Sequence, residues 1–426
     1  MTREPAPTSD RLARYHRALA VLGFFTLAAG DSLRYLLSWW GWGAIVVVLL
    51  TLGIVELVRR RIELRRLPIL LFATLALMAL SISWSAYPLE SVLGVIGTLA
   101  TTAFAVFLAT CLTWSGIVDA LALAMRVALA LSLAFEFVVS VFVRQPVLPL
   151  WVDYSHLETI PRAFYWSRDL LFEGGRIQGI VGNANILAMI ALLALIAGVA
   201  KVVAGRGGRV SFVVWSVVAL AVLALTRSTT VLAAAAAVAV VVLAAWFARR
   251  GGGVRRIATA VGLVVATGAA AVLAVVFREP LLTLVGRSPD LTNRLDIWAT
   301  VAQLGAERPV AGWGWIGYWA PWVEPFDDLA VIKGVAYLQA HNAWLDVFLQ
   351  LGVLGLVVVG LFVLTTLLRS WVYALDGSRA NALVPIALLV AVLVQGLAES
   401  RLLIEIGWAL LVLVSILTAT NRWERR

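Results

Sequence analysis

Residues 286–322 read GRSPDLTNRLDIWATVAQLGAERPVAGWGWIGYWAPW, and residues 340–355 read AHNAWLDVFLQLGVLG. The first stretch is polar and rich in Arg and Trp. The second runs from a His-Asn pair into an apolar segment. Upstream, 256–277 is apolar over about 20 residues, the length that crosses a hydrocarbon core, and 342–368 is apolar in the same way. A water-loving stretch of roughly 60 residues therefore lies between two expected membrane spans. Ordered loops of that length are where a multi-span chain carries its chemistry.

The rest of the chain repeats the apolar pattern. Of 426 residues, 62% are hydrophobic and 14% charged, with a mean hydropathy of +0.96. No soluble domain hides that much apolar surface, so the expected fold is all-α, a polytopic membrane protein forming one integral domain over 1–426. About twelve spans are expected: 18–37, 41–58, 67–84, 91–112, 117–143, 180–203, 210–226, 229–248, 256–277, 342–368, 382–397 and 402–420. Only Arg227-Ser228 separates the seventh from the eighth, which implies a tight turn at a membrane face. The Ala-rich run 232–245 reads as packing surface.

Every short basic cluster falls on one side of that set: Arg3 to Arg17, Arg59 to Arg66, Lys201 to Arg209, Arg249 to Arg256, Arg369 with Arg379, and Arg422 to Arg426. The positive-inside rule then puts both termini in the cytoplasm and the loops 144–179 and 278–341 outside a plasma (inner) membrane. Residues 1–17 read as a cytoplasmic tail without a cleavable signal. The net charge of +10 belongs to span ends that attract membrane lipids, not to a nucleic-acid surface. The single Cys111 has no disulfide partner and no metal-ligand spacing. No Walker-type loop or dinucleotide fingerprint is present, so no cofactor is expected.

Residues 163–189 of the first outer loop and the span after it read AFYWSRDLLFEGGRIQGIVGNANILAM. A short interfacial helix is expected there, with Phe164, Tyr165, Trp166, Leu170, Leu171 and Phe172 toward the membrane. At the mouth of the next span, Gly182-Asn183 supplies a turn and a helix cap, or Arg176 and the amide of Asn185 line a polar cavity. Arg227 either snorkels to the interface or points at an anionic ligand, whose phosphate oxygens a guanidinium fork matches in pairs.

In the large loop, Arg287 and Arg294 flank SPDLTN. Thr292 or Asn293 is expected to cap a helix that ends before Pro309. Arg294 then falls in the first turn, against the helix dipole, which calls for an anionic partner or a bridge to Asp290 or Asp296. Trp313 and Trp315 read as an interfacial belt or as a sugar and lipid platform. His341-Asn342 opens the tenth span. An imidazole there is kept neutral by the dipole and can take a proton from a sugar hydroxyl, or it is structural. His16 in the tail and His156 in a loop have no neighbours that suggest a role. Adjacent Asp327 and Asp328 are weak evidence for a cation.

Taken in order, these pieces resemble the O-antigen ligase and O-antigen polymerase superfamily. The matching elements are the Arg in LTRSTT (Arg227), Gly286-Arg287 followed by Arg294-x-x-x-Trp298, Arg308-Pro309 through Gly314, and His341-Asn342 followed by the glycines at 352 and 355. Arg176 to Asn185 also fits, and the shared region runs from about 220 to 355. One departure is that the family's Ser-Arg-Gly reads Thr226-Arg227-Ser228 here.

The resemblance implies a membrane glycosyltransferase. It takes a saccharide from an undecaprenyl-pyrophosphate-linked donor and passes it to a glycan, lipid or protein acceptor outside the plasma membrane, by inverting transfer without a metal. It implies His341 as base or acceptor-orienting group, with Arg227 and Arg294 on the pyrophosphate. Arg176, Asn185, Arg287, Trp313, Trp315 and Asn342 are then substrate-binding candidates. The competing class is a transporter or flippase of lipid-linked oligosaccharide. It would be expected to place charge within its spans, and here the candidates are Arg126, Glu136, Asp346 and Glu405.

Overall fold

The computed structural model describes residues 10–60, 62, 65, 67–155, 157–276, 289–332, 335–376 and 380–420. Arg287 and His156 lie outside these residues, as do the side chains of Thr292 and Asn293. In chain order the helices are α1 (Asp10–Ala28), α2 (Gly30–Arg60), α3 (Ile69–Leu80), α4 (Pro88–Cys111), α5 (Trp114–Val138), α6 (Ala184–Val203), α7 (Arg209–Thr226), α8 (Thr229–Ala248), α9 (Gly253–Val276), α10 (Pro289–Glu307), α11 (Ala343–Asp376), α12 (Val384–Gly396) and α13 (Glu405–Thr420). A two-residue antiparallel ribbon pairs β1 (Val331–Ile332) with β2 (Val335–Ala336). Among the described residues, eight helices (α2, α4 to α9 and α11) are long and apolar enough to cross a membrane; α3, α12 and α13 are shorter apolar helices. The chain is an integral membrane protein built from helices.

Three expectations are corrected. The run 18–37 is not one helix: α1 stops at Ala28, and Gly30-Asp31-Ser32 starts a new one, with the Ser32 hydroxyl donating to the Ala29 carbonyl. Hydropathy alone does not register this break. Secondly, His16 lies inside α1 rather than in a tail, buried and 2.8 Å from Glu56. Thirdly, 162–173 forms only a 3₁₀ turn at Arg162–Phe164, not an interfacial helix. Asp169 takes a left-handed backbone, Ser167 pairs with Val147 as an isolated bridge, and Trp166 is buried with its indole N–H on the Ile180 carbonyl. Of the aromatic run, Trp166 is buried, Phe164 and Tyr165 are half-buried, and Phe172 stays exposed.

The chain divides into two compact units, with boundaries inside α4 and α8. In the first, α1 packs on α5, α5 on α6, and α6 on α7. Small residues make up about half of the buried faces of α5 and α6, letting backbones approach where lipid offers no hydrophobic incentive to associate. The Glu136 carboxylate of α5 accepts from the backbone N–H of Gln178 and Gly179 and from the Ser167 hydroxyl. This in-span acid therefore pins the turn leading into α6. Asn183 caps α6, its side chain accepting from the N–H of Asn185 and Ile186.

In the second unit, α11 packs against α3, α10 and α12. A core of Tyr87, Ile297, Val301, Trp319, Phe326 and Leu349 joins the polar segment before α11 to these helices. The helix α11 is broken at Gly352, whose φ of 62° and ψ of −158° suit glycine alone. The broken ladder is re-satisfied by the strand of chain at 309–314. Trp313 and Gly314 donate to the carbonyls of Leu349 and Gln350, while Val353 and Leu354 donate to those of Pro309 and Val310. Irregular backbone in a membrane helix persists only where protein takes up its polar groups in this way. The two Gly-rich motifs, around 312–314 and at 352, are thus two halves of one device. A Cβ on Gly352 would meet the Val310 carbonyl. Gly352→Ala is expected to cost at least about 3 kcal/mol and to lower the melting temperature of the purified protein markedly. A melting curve unchanged from wild type would contradict the pairing.

Candidate functional site

Two groups of expected site residues are assembled, one in each unit. In the second unit, α10 begins at Pro289, several residues earlier than expected, because Pro suits a first helical position. Arg294 therefore sits in the second turn. Its guanidinium pairs with Glu399, at 2.9 Å, and not with Asp296; the side chain of Asp290 lies outside the described residues. Glu399 is only 4% exposed, and its other oxygen lies 3.0 Å from His341 Nδ1. The Gln339 side-chain amide donates through Nε2 to that same oxygen and accepts through Oε1 from the Ser400 N–H.

His341 precedes α11 rather than lying in it. It takes a left-handed backbone (φ 51°), and Asn342 is the cap, its side chain accepting from the N–H of Trp344 and Leu345. That turn swings the imidazole toward Glu399 and stacks it edge-on against Tyr337, 5.4 Å between ring centres. With Nδ1–H donated to the carboxylate, a neutral ring would present its lone pair on Nε2. Nε2 has no partner among the described residues. The arrangement is an imidazole held by a buried acid, with a cation on the acid's other oxygen.

Asp346, one turn into α11, sits beneath this cluster. It is buried and accepts from Trp319 Nε1 (2.8 Å), the Ala340 N–H (3.1 Å) and the Ser400 hydroxyl. Gln350, one turn on, accepts from the N–H groups of Ile316 and Gly317. These side chains lock the segments bearing His341 and Glu399 to α11. Trp315 is fully buried with its N–H on Thr98, so it offers no ring face to a sugar. Trp313 is half-buried, bonds the Leu304 carbonyl and carries the Arg308 guanidinium 4.1 Å above its ring. Tyr87, donating to the Gly314 carbonyl, has its phenol pKa pushed up by burial. Trp322 alone of this tryptophan series is largely exposed.

In the first unit, Arg176 donates through Nε to the Thr226 carbonyl and through Nη2 to Asn185 Oδ1, both at 3.0 Å. Asn185 Oδ1 also accepts from the Ser228 hydroxyl. The turn Thr226–Arg227–Ser228 is therefore gripped on both sides. Arg227 itself ends α7 in a left-handed conformation and is exposed, its guanidinium beside Gly174. Arg176 and Asn185 hold this turn, and Asn183 caps the helix.

Glu399 and Gln339 were not singled out from sequence. Glu399 stands in LAES, a short polar break between the last two apolar runs, on the side assigned to the outer loops. A lone acid in such a break was the available signal. Residues 212–360 match the family described as O-antigen ligase. No curated protein matches the chain. The matched stretch contains Arg227, Arg294 and His341 together, and over that stretch the chain is similar to the O-antigen ligase family.

Proposed function

We propose that the chain is a membrane glycosyltransferase that moves a glycan from an undecaprenyl-pyrophosphate-linked donor to an acceptor hydroxyl on the outer face of the plasma membrane. The observation that carries this reading is the His341–Glu399–Arg294 cluster. His341 Nε2 takes the proton of the acceptor hydroxyl as its oxygen attacks the anomeric carbon. The bond from that carbon to the pyrophosphate oxygen breaks, the configuration inverts, and undecaprenyl pyrophosphate leaves with the bonding pair. Glu399 orients the ring and balances the imidazolium that forms. Arg294, whose Nε and Nη1 have no partner among the described residues, meets charge growing on the leaving group. Arg227 is the second cation that the family resemblance assigns to the pyrophosphate.

This reading needs no metal and puts both termini in the cytoplasm. The acceptor is a glycan, lipid or protein hydroxyl, so ligase and polymerase share the same chemistry. Against a transporter, Glu136 and Asp346 accept structural hydrogen bonds and Glu405 pairs with Arg401. These in-span acids are engaged in holding the fold. Arg294→Ala and Arg227→Ala are each expected to weaken donor affinity about tenfold or more and to lower turnover as well. Binding of a lipid-pyrophosphate glycan to purified variants checks this. Donor affinity equal to wild type in both would overturn the pyrophosphate assignment.

A further inference from the structure

A second group of cations gathers at the opposite end of the first unit's helices from the Arg227 turn. Asp119, in α5, is approached by three of them: Lys201 at 3.0 Å, Arg206 at 3.2 Å and Arg17 at 3.9 Å. All three keep part of their side chain exposed, and Asp119 itself is only 19% exposed. One carboxylate cannot neutralise three cations, and like charges this close repel in a partly dry setting.

Two turns further along α5, Arg126 lies on the same helix face. It reaches across to α7, with Nη1 3.4 Å from the Ser211 hydroxyl and the guanidinium 5.6 Å over the Trp215 ring. No carboxylate pairs with it directly among the described residues, and its Nε is buried without a hydrogen-bond partner. A guanidinium half-buried in a spanning helix with unused donors is costly unless an anion meets it. Next to this group, α6 and α7 expose Val203, Val210, Val213, Val214 and Val217, an apolar surface that suits acyl chains.

We infer that Arg126, Lys201 and Arg206 form a binding site for a phosphate group, supplied by the headgroup of an anionic phospholipid whose chains lie along the valines of α7. The charge balance calls for an anion. The apolar wall beside it calls for one attached to hydrocarbon. The outer Nη edge of the Arg126 guanidinium, next to its Ser211 contact, can meet phosphate oxygens, while Nε is buried against the protein. The site lies apart from the Arg176–Arg227 turn, at the other end of α7, and takes no part in the transfer chemistry.

The test is native mass spectrometry and thermal unfolding of the purified full-length protein, stripped of lipid and then offered defined lipids. Phosphatidylglycerol is expected to bind and to raise the melting temperature, whereas phosphatidylcholine at equal concentration does neither. Arg126→Gln combined with Arg206→Gln should weaken phosphatidylglycerol binding at least tenfold, while Arg126→Lys keeps part of it. Inorganic phosphate forms a separate arm: stabilisation by the lipid alone assigns the site to a headgroup, and equal stabilisation by free phosphate assigns it to the phosphate anion as such. Equal binding of the zwitterionic and anionic lipids by the wild type, a result independent of how any variant folds, would overturn the inference. So would undiminished phosphatidylglycerol binding by the folded double variant.

Discussion

His341→Ala is expected to abolish glycan transfer, lowering turnover by about 10²–10⁴ or more, while the protein still binds the lipid-linked donor. The imidazole is the one group in the cluster with an unoccupied basic nitrogen, and its removal leaves nothing to accept the acceptor's proton. The cap comes from the Asn342 side chain, which the substitution leaves in place, so α11 should still start where it does, with alanine taking the left-handed turn at a modest cost. Removing the ring also relieves Glu399 of one contact while keeping those to Arg294 and Gln339. The variant should therefore fold. Single-turnover transfer and donor binding, measured on the same preparation, separate the two effects. Transfer at the wild-type rate would remove His341 from the base role.

Glu399→Gln should have the second largest effect, lowering kcat by about 10²–10³ with donor affinity retained. The amide has the volume of the acid but cannot serve both partners in the same way. If its NH₂ faces His341 Nδ1, the ring is driven into the tautomer with hydrogen on Nε2, which cannot act as base. If its oxygen faces His341, the NH₂ confronts the Arg294 guanidinium. Either orientation spoils one of the two contacts. A residue that only filled space would lower stability and leave the kcat and KM split unmoved. A fall in KM-independent turnover, with restoration of part of it by Glu399→Asp, is the expected signature of a positioning acid. Unchanged kcat in a folded Gln variant would show that the ring needs no carboxylate.

Much of the fold was legible because membrane helices obey a simple length and hydropathy rule. The runs that became α6, α7, α8 and α9 were read close to their observed ends, and the two-residue turn at Arg227-Ser228 lies where the pattern put it. Local polar chemistry was harder to read. Gly30-Asp31-Ser32 split one apolar run into two helices, and Asp169 with the Val147–Ser167 bridge replaced an expected helix with extended chain. The break at Gly352 was hidden inside a run of uniform hydropathy, since its cause is a distant segment, 309–314, that takes over its hydrogen bonds.

The candidate site shows the same division. His341, Arg294 and Arg227 stand out by residue type and by the family pattern. Glu399 does not, because it is 58 residues from His341 and its importance comes only from what it touches. Trp315 looked like a platform on composition but is a core residue, its indole N–H satisfied by Thr98 some 217 residues earlier. Burial and partnership are tertiary properties, and a motif reports only that a residue is present.

The most direct measurement supplies purified wild-type protein in detergent with extracted lipid-linked glycan and an acceptor, with EDTA present, and follows undecaprenyl pyrophosphate by mass spectrometry. Release of that lipid in step with glycosylated acceptor, and none from His341→Ala, is the predicted result. No release, together with movement of the intact donor lipid across the bilayer of reconstituted vesicles, would contradict it and make the chain a transporter.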